Sequence, residues 1–133
     1  MKESKLPKRF WLIIAVAMIL VSMIGSNLVQ SDGGKVKIHK VNLVVADGAE
    51  LYAQMYIPEQ ASAEHKLPLV IVQHGSQHNL QMQDMNMVEL ARRGFIVISG
   101  DAFGHGSSTP RGFVDPSMNF ANMRYLLEYA CNN

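Results

Sequence analysis

Leu67-Pro68-Leu69-Val70-Ile71-Val72-Gln73-His74-Gly75-Ser76 is the stretch that decides the fold. It works with the run Phe95-Ile96-Val97-Ile98-Ser99 and the loop Asp101-Ala102-Phe103-Gly104-His105-Gly106-Ser107-Ser108 that follows. Leu69 to Val72 is continuously apolar, as expected of a strand covered on both faces, and it runs into a His-Gly turn. Phe95 to Ser99 repeats the pattern. Between them, Leu80 to Arg93 reads as an amphipathic helix. Asp84 suits its N-cap, Arg92 and Arg93 suit the negative end of its dipole, and Gly94 suits the position just past its end. Strand, helix, strand in this order implies a right-handed crossover and parallel pairing.

Working outward, Val36 to Val45 alternates apolar and polar residues, the pattern of a half-exposed strand. Asp47-Gly48 is a strong hairpin turn signal. Leu51 to Ile57 alternates again and ends at Pro58. The domain is therefore expected to open with an antiparallel hairpin, joined onward by the polar, Ala-rich stretch Glu59 to Lys66. Downstream, Ser117 to Ala130 fits a helix with Phe120, Met123, Leu127 and Ala130 on one face and Leu126 beside them. The methionines within Leu80 to Arg93 are expected to fill the core.

Toward the N-terminus, Lys2, Lys5, Lys8 and Arg9 precede an apolar run over residues 10–29, interrupted only by Ser22, Gly25, Ser26 and Asn27. Twenty helical residues rise about 30 Å, enough to cross the hydrocarbon core of a bilayer. Phe10 and Trp11 lie beside the charges, at a depth that suits aromatic rings. The basic cluster predicts a single span with the N-terminus in the cytoplasm and everything after about Gln30 outside. The other reading is a cleaved signal peptide and a secreted product, although no Ala-x-Ala site follows the run. Ser31-Asp32-Gly33-Gly34 reads as a short flexible break. The expected organisation is a basic tail at residues 1–9, a membrane helix at 10–29, a linker at 30–35 and one domain from 36 to 133.

Composition narrows the function classes. A net charge of +1 on 133 residues gives no field to attract nucleic acid. A single cysteine, Cys131, forms no internal disulfide and has no base near it in sequence to activate it. His74 and His78 are four apart, but a strand and Gly75 place them in a loop with no carboxylate partner closer than Asp84, so no metal and no cofactor are expected. Gly106-Ser107-Ser108-Thr109-Pro110 approaches the Gly-x-Ser-x-Gly of a serine nucleophile, but Pro110 replaces the last glycine and the serine lies well past its strand.

Taken together, these residues resemble the N-terminal half of the α/β-hydrolase family, in the branch of serine esterases, lipases and peptidases. The resemblance covers roughly Val36 to Ala130. It implies an α/β fold, the first half of a three-layer sandwich, preceded here by one transmembrane helix. It further implies that the loop after the first apolar strand donates a backbone N–H to an oxyanion hole. Ser76 is the matching donor position and Gln77 its neighbour, with His74 and Gly75 shaping the turn. The loop after the second strand matches the family's pocket wall through Asp101, Gly104, Gly106 and Ser108, with His105 between the glycines. In the family the nucleophile elbow, the acid and the catalytic histidine come later, and this sequence contains no Gly-x-Ser-x-Gly. The expectation is a membrane-anchored hydrolase piece that stops before its nucleophile and is inactive alone. Its expected partners are the lipid bilayer along 10–29, a small acyl-type substrate in the intact relative, and a complementary C-terminal half. The alternative is a non-catalytic, membrane-tethered binding module. Such a fragment would leave an apolar sheet edge at Leu69 to Val72 or Phe95 to Ser99.

Overall fold

A computed structural model describes residues 7–45, 48–109 and 118–132, with side chains of the last segment described from residue 121. Lys2, Lys5, Asp47, Ser117 and the side chain of Phe120 lie outside the described residues. The described elements are α1 (Lys8–Gln30), β1 (Val36–Val44), β2 (Glu50–Pro58), β3 (Leu69–Gln73), α2 (Asp84–Arg92), β4 (Ile96–Gly100) and α3 (Met118–Asn132).

Helix α1 is long and apolar enough to cross a membrane, and none of its side chains is buried. The segment after it is not the loose break expected from its glycines. Asp32–Gly34 forms a single 3-10 turn. Ser31 Oγ donates to Asn27 O at 2.8 Å and accepts from Gly34 N–H at 3.1 Å, while Val36 N–H reaches Ser31 O at 2.9 Å. Asp32, Gly33 and Gly34 all have positive φ, and the two glycines adopt it at little cost.

The four strands form one sheet in the order β1-β2-β4-β3. The opening pair is antiparallel, with Val36 opposite Pro58 and Val44 opposite Glu50. β2 then pairs antiparallel with β4, Ala53 opposite Gly100 and Tyr56 opposite Val97. β3 and β4 are parallel, with Leu69 opposite Ile96 and Gln73 opposite Gly100. The expected hairpin and crossover are both present.

Helices cover the two faces of this sheet. One core contains Leu51, Ala53, Met55, Ile98, Phe103 and Leu126 of α3. The other contains Val36, Tyr56, Val97 and, from α2 and its approach, Leu80, Met87, Val88 and Ala91. β2 alternates in sequence yet is buried on both sides, because it lies between β1 and β4 beneath both helices. Its polar positions are accommodated by hydrogen bonds to one another. β3 reverses the expectation. Its continuous apolar run suggested full cover, but all five residues are only half-buried, because β3 is the sheet edge and β4 its one neighbour among the described residues.

Three local readings need correction. The helical segment begins as a 3-10 turn, Leu80–Gln83, so Asp84 is the first α-helical residue and Gln83 holds the N-cap position, with no side-chain capping bond. Of the three methionines there, only Met87 is core, while Met82 and Met85 are exposed. The buried face of α3 is centred on Asn122 and Leu126, whereas Leu127 is exposed. Gly100 explains that rotation: a Cβ placed on it would lie 3.1 Å from Leu126, so the bare backbone there receives the leucine. The end of α2 matches its sequence. Gly94, at φ 90°, donates to Ala91 O, and Phe95 N–H reaches Leu90 O, the paired bonds of a Schellman motif.

Candidate functional site

β3 and β4 are parallel and end level with each other, so the loops that leave them emerge side by side. In an open α/β sheet this carboxyl edge is where ligands are received. The two loops face each other across a cleft of about 400 Å³ lined by Gln77, His78, Asn79, Met82, Gly104, His105 and Gly106.

The loop after β4 is held by Asp101, which is fully buried. Its Oδ2 accepts from Ser107 N–H at 2.8 Å, curling the glycine-rich turn back on the strand. Its Oδ1 accepts from Leu80 N–H at 2.7 Å, which fastens the start of the opposite helical segment. Gly106 passes so close that a Cβ there would sit 2.0 Å from Asp101 Oδ2, and its φ is 50°, so glycine is required on both counts. Ser108 is also buried. Its hydroxyl donates to Asp101 O at 2.6 Å and accepts from Tyr52 N–H at 3.0 Å. The side chain thus takes the place of a strand partner for β2, and its proton is committed to a carbonyl. That bonding is the reverse of what a serine nucleophile needs, which is a base at its hydroxyl. Thr109 continues the junction, with N–H to Glu50 O and Oγ1 accepting from Glu50 N–H, both at 2.9 Å.

His74 bridges the loops. Ala102 N–H donates to its Nε2 at 2.9 Å, so Nε2 carries no proton, and Nδ1–H donates to Gly75 O at 2.8 Å. Both ring nitrogens are occupied by main-chain partners, which fixes the neutral tautomer. The ring of His105 lies 5.4 Å from that of His74. Its Nδ1 bonds Phe103 O at 3.2 Å, leaving Nε2 as the acceptor of the neutral ring.

The loop after β3 is different. His78 N–H reaches Gly75 O at 3.3 Å, closing a turn in which Ser76 and Gln77 are exposed. No acceptor is bonded to the N–H of either residue among the described residues. Gln77 sits at φ 67°, a left-handed conformation that costs a non-glycine residue about 1 kcal/mol or more. Gln77 lines the cleft; Ser76 lies beside it in the turn.

Behind the cleft, on the α2 face, runs a hydrogen-bonded ladder that sequence reading did not single out. Gln54 Nε2 donates to Tyr52 Oη at 3.0 Å, and Tyr56 Oη–H is shared between Gln54 Oε1 and Asp84 Oδ1, each at 3.2 Å. Burial, reinforced by the Asp84 charge, pushes the Tyr56 hydroxyl well above its usual range. Burial also raises the Asp84 carboxyl, with the Tyr56 bond opposing it. The spacing Tyr52, Gln54, Tyr56, three polar-tipped residues on one face of a strand, was the available signal. His78, Asn79 and Met82 were likewise not predicted as cleft residues. The amide of Asn122, the hydroxyl of Ser99 and the Oε1 of Gln73 are buried with no partner among the described residues.

A larger cleft of about 680 Å³ lies at the other end of the sheet, against Leu69, Ile96, Lys66 and Ala130. It is at the amino ends of β3 and β4, away from the loops. No group of three or more metal-ligating side chains occurs among the described residues.

No family model and no curated protein sequence matches this chain. Solved structures do. A hypothetical protein from Pseudomonas aeruginosa superposes with a TM-score of 0.64 at 22% identity, over 72% of this chain and 30% of that one. An acetyl xylan esterase from Paenibacillus sp. R4 gives 0.56 at 20% identity, over 74% and 37%. A hydrolase from Pseudomonas aeruginosa gives 0.55 at 28% identity, over 69% and 32%. The esterase, thioesterase, haloperoxidase and epoxide hydrolase structures among the matches are α/β-hydrolase family members. The mixed α/β fold described here is the one these proteins share over about 70% of this chain, which spans about a third of their length.

Proposed function

We propose that this chain is the membrane-anchored opening portion of a serine hydrolase of the α/β type, acting on an ester, thioester or peptide-like acyl bond. The carrying observation is the pair of loops at the carboxyl ends of β3 and β4, facing each other across one cleft. The clamped loop, from Asp101 to Ser108, forms a fixed wall. The turn at Ser76 and Gln77 supplies main-chain N–H groups with no partner among the described residues, as an oxyanion hole requires. Residues 10–29 hold the domain to the bilayer, with the domain on the outer side; residues 1–9 form the basic tail, 30–35 the junction and 36–133 the domain.

Nucleophile, acid and base come from sequence that this chain does not contain, so the chain alone does no bond-breaking. Its complement is a C-terminal hydrolase portion whose first strand pairs with β3. A second reading, a tethered binding module without catalysis, draws on the commitment of His74 and Ser108 to structural hydrogen bonds. A fluorophosphonate probe separates the two. The chain alone should remain unlabelled, and assembly with its complement should yield labelling on a serine of the complement. In that assembly Ser76→Ala should change little, whereas Ser76→Pro removes an N–H and should lower turnover about a hundred- to a thousandfold. Unchanged turnover in a folded Ser76→Pro protein would reject the oxyanion role. Absence of labelling in every assembly favours the binding module.

A further inference from the structure

The junction between α1 and β1 fixes which end of the domain meets the membrane. The 3-10 turn after α1 is closed by hydrogen bonds through Ser31 and Asp32. Asp32 Oδ1 then pairs with Arg92 Nε at 3.0 Å, tying the anchor's exit to the last turn of α2. Glu59 N–H reaches Lys35 O at 2.7 Å, tying it to the end of β2 as well. The last turn of α2 lies next to the start of β4, and Pro58 lies beyond the register pair Tyr56 and Val97. Both ties are therefore at the amino ends of β3 and β4. The cleft lies at their carboxyl ends, level with Gln73 and Gly100. Along β2, the stretch from Ala53 to Pro58 separates these poles by about 17 Å at ordinary strand rise. α1 buries no side chain against the domain, so it does not fold back along it.

We infer that the domain stands on the bilayer by the amino-end pole of its sheet and turns its cleft to the aqueous phase. Its substrate is accordingly an acyl compound that is dissolved or carried on a water-exposed polymer, not a lipid lying in the bilayer. The inference rests on the membrane-anchored hydrolase reading and adds an orientation that this reading does not contain.

The test uses the full chain in phospholipid vesicles, in a Cys131→Ser background, with one fluorophore at a time on Met18→Cys, Glu59→Cys or Ser107→Cys. Glu59 and Ser107 are exposed and sit at the two poles. The quencher is a lipid carrying a nitroxide at its headgroup, and a second lipid carries one deep in its acyl chain. The acyl-chain quencher should act on the label at 18. The headgroup quencher should quench the label at 59 several-fold more strongly than the one at 107. Equal quenching at 59 and 107, or stronger quenching at 107, would overturn the orientation while leaving the anchor intact. An aqueous label at 18 would remove the anchor itself, and the inference with it. In the assembled enzyme, faster turnover of a vesicle-embedded acyl lipid than of a dissolved short-chain ester would overturn the substrate class whatever the labels show.

Discussion

The loops after β3 and β4 leave the sheet at the same level, from Gln73 and Gly100, and are built in opposite ways. The β4 loop folds around a buried carboxylate. Asp101 accepts the loop's Ser107 N–H, and the Ser108 hydroxyl, donating to Asp101 O and accepting from Tyr52 N–H, welds the loop to β2. The β3 loop has one weak main-chain bond of its own, exposed side chains and a strained Gln77. Most main-chain donors of one wall are satisfied internally, whereas on the other the N–H groups of Ser76 and Gln77 have no partner among the described residues. Polar backbone left unpaired at a pocket is costly unless water or a ligand serves it, so the contrast separates scaffold from contact surface.

The largest effect expected from breaking that contrast is at Asp101. Asp101→Ala leaves the N–H groups of Leu80 and Ser107 without their charged acceptor and should cost about 4 kcal/mol, read from the urea midpoint of the full chain in detergent micelles. A loss below about 1 kcal/mol would mean that the clamp is ornamental. Gly106→Ala should cost about 3 kcal/mol, from overlap with the carboxylate and the left-handed φ together. Combining the two changes sharpens the point, because deleting the carboxylate makes room for the methyl. The double variant should be less damaged than the sum of its parts, and strict additivity would show that the two residues do not meet.

Smaller effects are expected on the β3 side. Burial raises the Asp84 carboxyl above its ordinary 3.8, so the folded chain holds that proton more tightly than the unfolded chain. Its ionisation therefore subtracts stability at neutral pH, and the loss is recovered as pH falls toward 4. Asp84→Asn should be the more stable protein at pH 7, with its advantage vanishing near pH 4. A pH-independent difference between the two proteins would contradict this. The smallest effect is at Gln77. Gln77→Gly relieves the left-handed backbone but adds freedom to the unfolded chain, so it should shift stability by less than about 1 kcal/mol. A loss well beyond that would show that the Gln77 side chain helps to hold the turn.

Much of this was legible from residues alone. Hydrophobic period, the crossover rule and Gly94 led to the parallel pair and its helix. The glycine pattern after Phe95 to Ser99 pointed to the pocket wall. What escaped were properties of neighbours. β3 and β4 are nearly equivalent as strings, and only pairing order makes one an edge and the other the centre. Asp84 looked like a cap because caps are local, yet its carboxylate is taken by Tyr56, distant in sequence. The linker looked loose because Asp32, Gly33 and Gly34 suit loops, but positive φ in series also makes a tight turn. At the site, glycines and charges were visible, whereas His78, Asn79 and Met82 became cleft residues only through the 3-10 turn that delivers them.

The strand order β1-β2-β4-β3 also sets a timetable. As the chain is made, β1 and β2 can pair at once, since they are adjacent in sequence. β3 comes next and finds no place, because β4, its one neighbour among the described residues, has not yet been made. It must wait until β4 arrives and docks on β2. At ordinary synthesis rates that is a delay of roughly 1–5 s, during which Leu69-Val70-Ile71-Val72 is an unpaired apolar strand. β4 is the keystone of the nascent chain, and this interval is when the protein is most exposed to misassembly.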